Sequence, residues 1–196
     1  MTPPKPEFLA KLQACANQAR DLLDAAHAVL KLGKPHVAYP LAIAAIEEIG
    51  KRNLVALSEM SRELARDDQA FNKKQDKHEQ KLFWAMFGGR MFSHDITKER
   101  FEELQRLAKR FHAKRLASMY VDDTPDGLSI PAQSVDQDEL NNMLGLADAL
   151  VSMAEGEIPR DVPEEELEKP ALVHEHLRGP GTPAVRLLGR IDGKTR

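Results

Sequence analysis

Charges interrupt the most apolar stretch of the chain. In AIAAIEEIGKRNLVAL, residues 42–57, Glu47, Glu48, Lys51 and Arg52 stand among aliphatic side chains. A carboxylate buried between helices needs a partner, because an unpaired one costs several kcal/mol or takes up a proton. Lys51 follows Glu47 by four residues and Arg52 follows Glu48 by four, the favoured acid-then-base order on a helix. One reading is therefore two local pairs, worth roughly 0.3–0.5 kcal/mol each. The other is that the partners come from elsewhere in the chain. A second constellation, FNKKQDKHEQKLFWA at 71–85, offers them. Phe71, Gln75, His78, Leu82 and Ala85 share one helical stripe, which turns His78 toward the interior with Asp76 and Lys81 beside it. A histidine on an apolar stripe is ordinarily a satisfied core residue. Set against Glu47 or Glu48 it becomes an oriented proton donor, since a carboxylate favours the charged imidazole.

A third arrangement is RLAKRFH, in which five residues separate Arg106 from His112. An arginine can hold a scissile phosphate and a histidine can move a proton to or from ribose oxygens, the parts of a metal-independent RNA cleavage by the 2′-OH. The same helix carries Lys109, Arg110, Lys114 and Arg115, so KRFHAKR also reads as a solvated or RNA-contacting basic face. RMFSH, with three residues between Arg90 and His94, falls in a turn and is a poorer match. No metal or cofactor is expected. Glu-x-x-His, the di-metal pattern of helical bundles, does not occur, one cysteine cannot build a structural zinc site, and His174 and His176 lie in the tail.

The elements that must position these residues are helical. Leu9, Leu12, Ala16, Ala19, Leu23, Ala26 and Leu30 recur at spacings of three and four, which predicts a first helix over 6–32 ending at Gly33. A second is predicted over 36–66 with Pro40 near its start, a third over 68–87, a fourth from Thr97 to about Tyr120 and a fifth over 135–155, with Ser134 and Gln137 spaced as a capping box. The second helix has apolar residues on both sides: Ala38, Ala42, Ala45, Ile46 and Ile49 on one, Ile43, Leu54 and Val55 on the other. That is the signature of a helix sandwiched by others, and it puts Glu47 in a packed environment. DDTPDGLSIPAQS reads as a loop, and no segment alternates as a strand should. The expectation is an all-α antiparallel bundle of about five helices over 1–156, followed by a poorly ordered Pro/Gly-rich charged tail over 157–196.

Composition sets the outer bounds. With 196 residues the chain holds one domain with a sizeable core. The net charge of −3 gives no global basic field, so any nucleic-acid contact must be local. The lone Cys15, the absence of a signal-peptide pattern in MTPPKPEF and an apolar run of only about half a bilayer span predict a cytoplasmic protein that does not enter a membrane.

Three segments in order resemble the AbiV family of abortive-infection proteins. YPLAIAAIEEIGK is similar to the family's Leu-Ala-x-x-Ala-x-Glu-Glu-x-Gly-Lys block, DKHEQK to its Asp-His-x-x-Lys block, and ASMYVDDTPDGLSIP to its Leu-Tyr-Val-Asp segment. Here Lys77 separates Asp76 from His78, and Asp123 stands where the family has an aromatic. The resemblance implies a HEPN-like helical bundle that blocks phage multiplication as a toxic or growth-arresting effector. Its partners would be a phage protein acting as trigger, RNA or the translation machinery. It also implies a homodimer, and the broader group includes RNA-cleaving members with an Arg-x4–6-His motif. Matched by position, Glu47, Glu48, Gly50 and Lys51 belong to the first block and Asp76, His78 and Lys81 to the second. A dimeric adaptor whose charged cluster only fixes helix register is a further alternative.

Overall fold

The computed structural model describes residues 6–63, 77–88, 98–125 and 127–156. Five long helices and one single turn are found there: α1 Pro6–Lys31, α2 Pro35–Glu63, α3 His78–Gly88, α4 Lys98–Met119, α5 Pro131–Ser134 and α6 Gln137–Gly156. The bundle expected from periodicity is present. Asp76, His174, His176, the RMFSH segment and the tail lie outside the described residues.

The α1–α2 corner is built as its sequence requires. Gly33 takes φ +70° and donates its N–H to Leu30, while the Lys34 N–H reaches back to Val29, the paired bonds of a Schellman stop. The Lys34 carbonyl then accepts from Val37 and Ala38, opening α2 behind Pro35, whose missing N–H costs nothing at that position. Helix α2 is the central element. Ala38, Ala42, Ala45, Ile46 and Ile49 are buried, and so are Ile43 and Leu54 on its other side. Helix α1 packs along it through Ala19, Leu23 and Ala26, and α6 closes the same core with Leu140, Met143, Ala147 and Val151. Arg20 with Glu155 and His27 with Asp148 tie α1 to α6 in antiparallel order.

Helix α3 departs from the antiparallel pattern. Glu47 meets His78, Gly50 abuts the backbone of Lys81, and Asn53 donates to the Trp84 carbonyl at 3.1 Å. The contacts advance in the same direction on both helices, so α2 and α3 run parallel at this crossing. Helix α4 returns antiparallel to α3: His78 lies against His112, while Phe83 and Phe87 pack edge-on against Phe101.

Two local expectations are corrected. The segment expected as plain loop contains a two-stranded hairpin, β1 Asp122–Thr124 against β2 Gly127–Ser129, with Asp123 opposite Leu128. Its strands are three residues long, too short for alternation to register in sequence; Gly127 supplies φ +119° where the second strand begins. The cap of the last helix is Asp136, whose carboxylate accepts the Glu139 N–H, whereas the Ser134 hydroxyl donates to the Pro131 carbonyl within α5. Among the described residues no helix is long and apolar enough to cross a membrane.

Candidate functional site

Glu47 sits where α2, α3 and α4 meet, 6 % exposed. Its two oxygens face different helices. Oε1 accepts from Arg115 Nη1 at 2.7 Å, and Oε2 lies 2.8 Å from His78 Nδ1. The local Glu47–Lys51 pair expected on α2 is therefore replaced by two partners from other helices. This follows from burial: on the packed side of α2 the carboxylate needs donors that are already there, while the Lys51 stem runs outward. Lys51 instead pairs with Glu48, three residues away at 3.1 Å. The hydrogen bond to Glu48 keeps the Lys51 ammonium above its ordinary range even though partial burial works against it. Of the two candidate carboxylates, it is Glu47 that holds His78.

Two short contacts converge on one imidazole nitrogen. His78 Nδ1 is 2.8 Å from Glu47 and 2.9 Å from Arg115 Nη1. One carboxylate can serve both donors at once if Nδ1 carries a proton, with arginine and histidine each donating to a separate oxygen. That arrangement leaves Nε2 as the nitrogen with free capacity, able to take or give a proton. The His78 side chain is 44 % exposed, against 17 % for Arg115. It stands at the first position of α3, where the helix N-terminus adds positive potential. The His112 ring stacks on it, with centroids 5.4 Å apart and planes inclined by 10°, and His112 Nδ1 is buried without a hydrogen-bond partner among the described residues.

Gly50 explains how these groups come so close. A Cβ at that position would overlap the Lys81 carbonyl oxygen, so only glycine lets the α3 backbone lie directly on α2. One turn earlier on α2 this contact sets the spacing that lets Glu47 reach His78. Gly88 repeats the device farther along, against the Asn53 side chain.

The residues singled out from sequence divide clearly. Glu47, His78 and His112 are brought together, Gly50 and Lys81 form the backbone contact beneath them, and Glu48 with Lys51 make a neighbouring pair. Arg106 is not part of the cluster. It is six residues before His112 on one continuous helix, about 240° away in rotation, and lies exposed on the outer face. The arginine at the site is Arg115, which sequence reasoning placed only in a general basic face. The available signal was its spacing: three residues after His112, it shares that residue's side of α4. Among the described residues no group of three or more His, Cys, Asp or Glu is arranged to hold a metal ion. A cleft of about 330 Å³ between α4 and α6 is lined by Arg110, Phe111, Glu139 and Asn142, among others, and by none of the cluster residues.

Comparison with known proteins places the sequence in a family. No curated protein and no solved structure matches the chain. The AbiV family model matches residues 7–152, which contain every helix that builds the cluster. The chain belongs to the AbiV family of HEPN-like proteins, a family of abortive-infection defence.

Proposed function

We propose that this protein is an antiphage effector that works by binding, with RNA, free or within the translation machinery, held at the Glu47–His78–His112–Arg115 cluster. The observation that carries the reading is His78: half-exposed, fixed through Nδ1 by a buried carboxylate, with no partner on Nε2 among the described residues, at a helix N-terminus. Arg115 and Lys81 stand beside it, and Lys81 has no ion-pair partner among the described residues. Phosphate oxygens suit such donors, and the bases of single-stranded RNA can stack on an exposed imidazole. A phage protein could act as the trigger without occupying this site.

The stacked pair His78–His112 supports a second reading, metal-independent RNA cleavage. Two imidazoles and an arginine supply a base, an acid and a phosphate ligand, provided that both rings reach the ribose phosphate.

One set of experiments tests both. Cells carrying the wild-type protein and His78→Ala are challenged with phage, and both purified proteins are titrated with single-stranded RNA. His78→Ala should fold, bind RNA at least about tenfold more weakly and lose protection. Full protection by a folded His78→Ala would remove the site assignment. RNA shortened by the wild type in chelator, and left intact by both His78→Ala and His112→Ala, would move the conclusion to cleavage.

A further inference from the structure

The outer face of α4 changes character along its length. Arg106, Lys109 and Arg110 are exposed on its first half, and Leu116 and Met119 on its last turns. Beyond it, Asp122 and Asp123 are exposed in the hairpin, with Leu128 opposite Asp123 and also exposed. Arg106, Lys109, Asp122 and Asp123 have no ion-pair partner among the described residues, and Arg110 makes only a 3.8 Å approach to Glu139. From the start of α4 to the hairpin the face therefore reads base, apolar, acid.

The sequence beyond Gly156 carries the inverse order. Residues 157–176 hold seven acids against two Lys or Arg, and four of those acids form the run EEELE at 164–168. Residues 177–196 hold five Lys or Arg against one acid, and AVRLLGRI at 184–191 sets Arg186 and Arg190 among aliphatic side chains. The starting point suits the same face. Helix α1 packs back along α2 after a three-residue corner, and α6 is antiparallel to α1, so α6 runs with α2 and α3 and against α4. Gly156 accordingly lies toward the end of the bundle at which α4 begins. Glu164 follows it by eight residues, a reach of up to about 26 Å.

We propose that this face is the docking surface for the chain's own C-terminal segment, laid parallel to α4 with the acid run 164–168 over Arg106, Lys109 and Arg110 and AVRLLGRI over Leu116, Met119 and the strand of Asp122 and Asp123. Opposite charges then meet at both ends, and aliphatic side chains meet the apolar last turns of α4. The reverse direction sets base on base and acid on acid, so charge fixes the direction. The lengths agree. Lys109 to Asp122 is about 25 Å, made of about 15 Å of helix to Met119 and about 10 Å of extended chain. Arg186 follows Glu166 by twenty residues, which reach up to about 66 Å and cover that distance with length to spare. A tethered segment meets its site at an effective concentration in the millimolar range, so surface pairs that are weak one by one suffice together. Docked there, the acid run covers the basic stripe and competes with any other polyanion for it.

Disulfide trapping in the full-length chain tests both position and order. Ala113 and Leu128 are exposed, so cysteine probes there leave the core intact. In a Cys15→Ala background with an unchanged circular dichroism spectrum, Ala113→Cys with Leu167→Cys, and Leu128→Cys with Leu188→Cys, should each close a bridge on mild oxidation, read as loss of both thiols at the mass of one chain. The crossed pairs, Ala113→Cys with Leu188→Cys and Leu128→Cys with Leu167→Cys, should close at least about tenfold more slowly. Lys109→Glu/Arg110→Glu should slow the bridge between positions 113 and 167 by at least about tenfold. Adding Glu164→Lys/Glu165→Lys/Glu166→Lys should restore it, which only a direct contact can do. Heparin, a polyanion without ribose, should slow the same bridge as its concentration rises. Equal rates for matched and crossed pairs, bridges formed only between chains, a swapped variant that does not recover, or closure indifferent to heparin would each overturn the proposal. No RNA enters these measurements, so their outcome is separate from that of the RNA-binding tests.

Discussion

At the scale of single residues, Glu47 is the side chain on which the site turns. It is a nearly buried carboxylate held by an arginine from one helix and a histidine from another. Removing it strands Arg115, a cation with little exposure, and breaking one side of a buried pair is worth about 3–5 kcal/mol. Glu47→Ala should therefore destabilise by about 3 kcal/mol, and Glu47→Gln by less, because the amide still accepts from arginine. The cycle with Arg115→Ala separates pairing from burial: in urea unfolding the coupling should be about 1–3 kcal/mol. Additive single costs would mean that the two groups do not act as a pair. His78→Ala leaves Glu47 and Arg115 together and should stay within about 1 kcal/mol of wild type. A site mutant that folds and a scaffold mutant that does not are thereby distinguishable.

At the scale of elements, most helices were legible and one relationship was not. The apolar spacing of α1 and the two-sided apolar surface of α2 follow from sequence because a helix face is a local property. Burial of Glu47 followed from the same reasoning. Direction is not local. Periodicity says which residues of α3 face inward, but not which way the helix runs, and short loops argue for antiparallel neighbours. Residues 64–77 separate Glu63 from His78. Extended, they span about 45 Å, against the roughly 24 Å of α2 that must be retraced to reach Glu47, so the connection allows a parallel α3. Arg115 was hidden for a similar reason: its role depends on α4 crossing α2 beside α3, a contact between residues 68 apart in sequence. Gly50 tests the element contact. Gly50→Ala must push α3 away from α2, and should cost at least about 2 kcal/mol and abolish phage protection together with stability. Gly145→Ala meets nothing within 4 Å in the middle of α6 and should raise stability by about 0.5–1 kcal/mol, because alanine is the better helix former. Thermal unfolding of the two variants decides it: opposite signs are expected, and two losses of equal size would show that the space around Gly50 is not what matters.

At the scale of the whole molecule, charge distribution limits how strongly RNA binding can depend on salt. The chain is net negative by 3, so a polyanion gains nothing from the overall field and any RNA contact must be paid by local cations. The cluster offers Lys81, His78 and Arg115, of which Arg115 is largely neutralised by Glu47. Neighbouring Lys114 is likewise engaged, 2.7 Å from Glu139. Only about two phosphates can then be neutralised at each site. Counterion release from single-stranded RNA predicts a slope of log K against log salt of about −1 to −2 for that number. The basic stripe of α4 would raise it by about 2 if Arg106, Lys109 and Arg110 also met phosphate. Those three residues are exposed on the outer face of α4, away from His78. Salt titration of RNA binding should consequently give the shallow slope for wild type and an unchanged slope for Lys109→Glu/Arg110→Glu, with the affinity loss confined to His78→Ala. A steep wild-type slope that becomes shallow on charge reversal would assign the stripe to RNA.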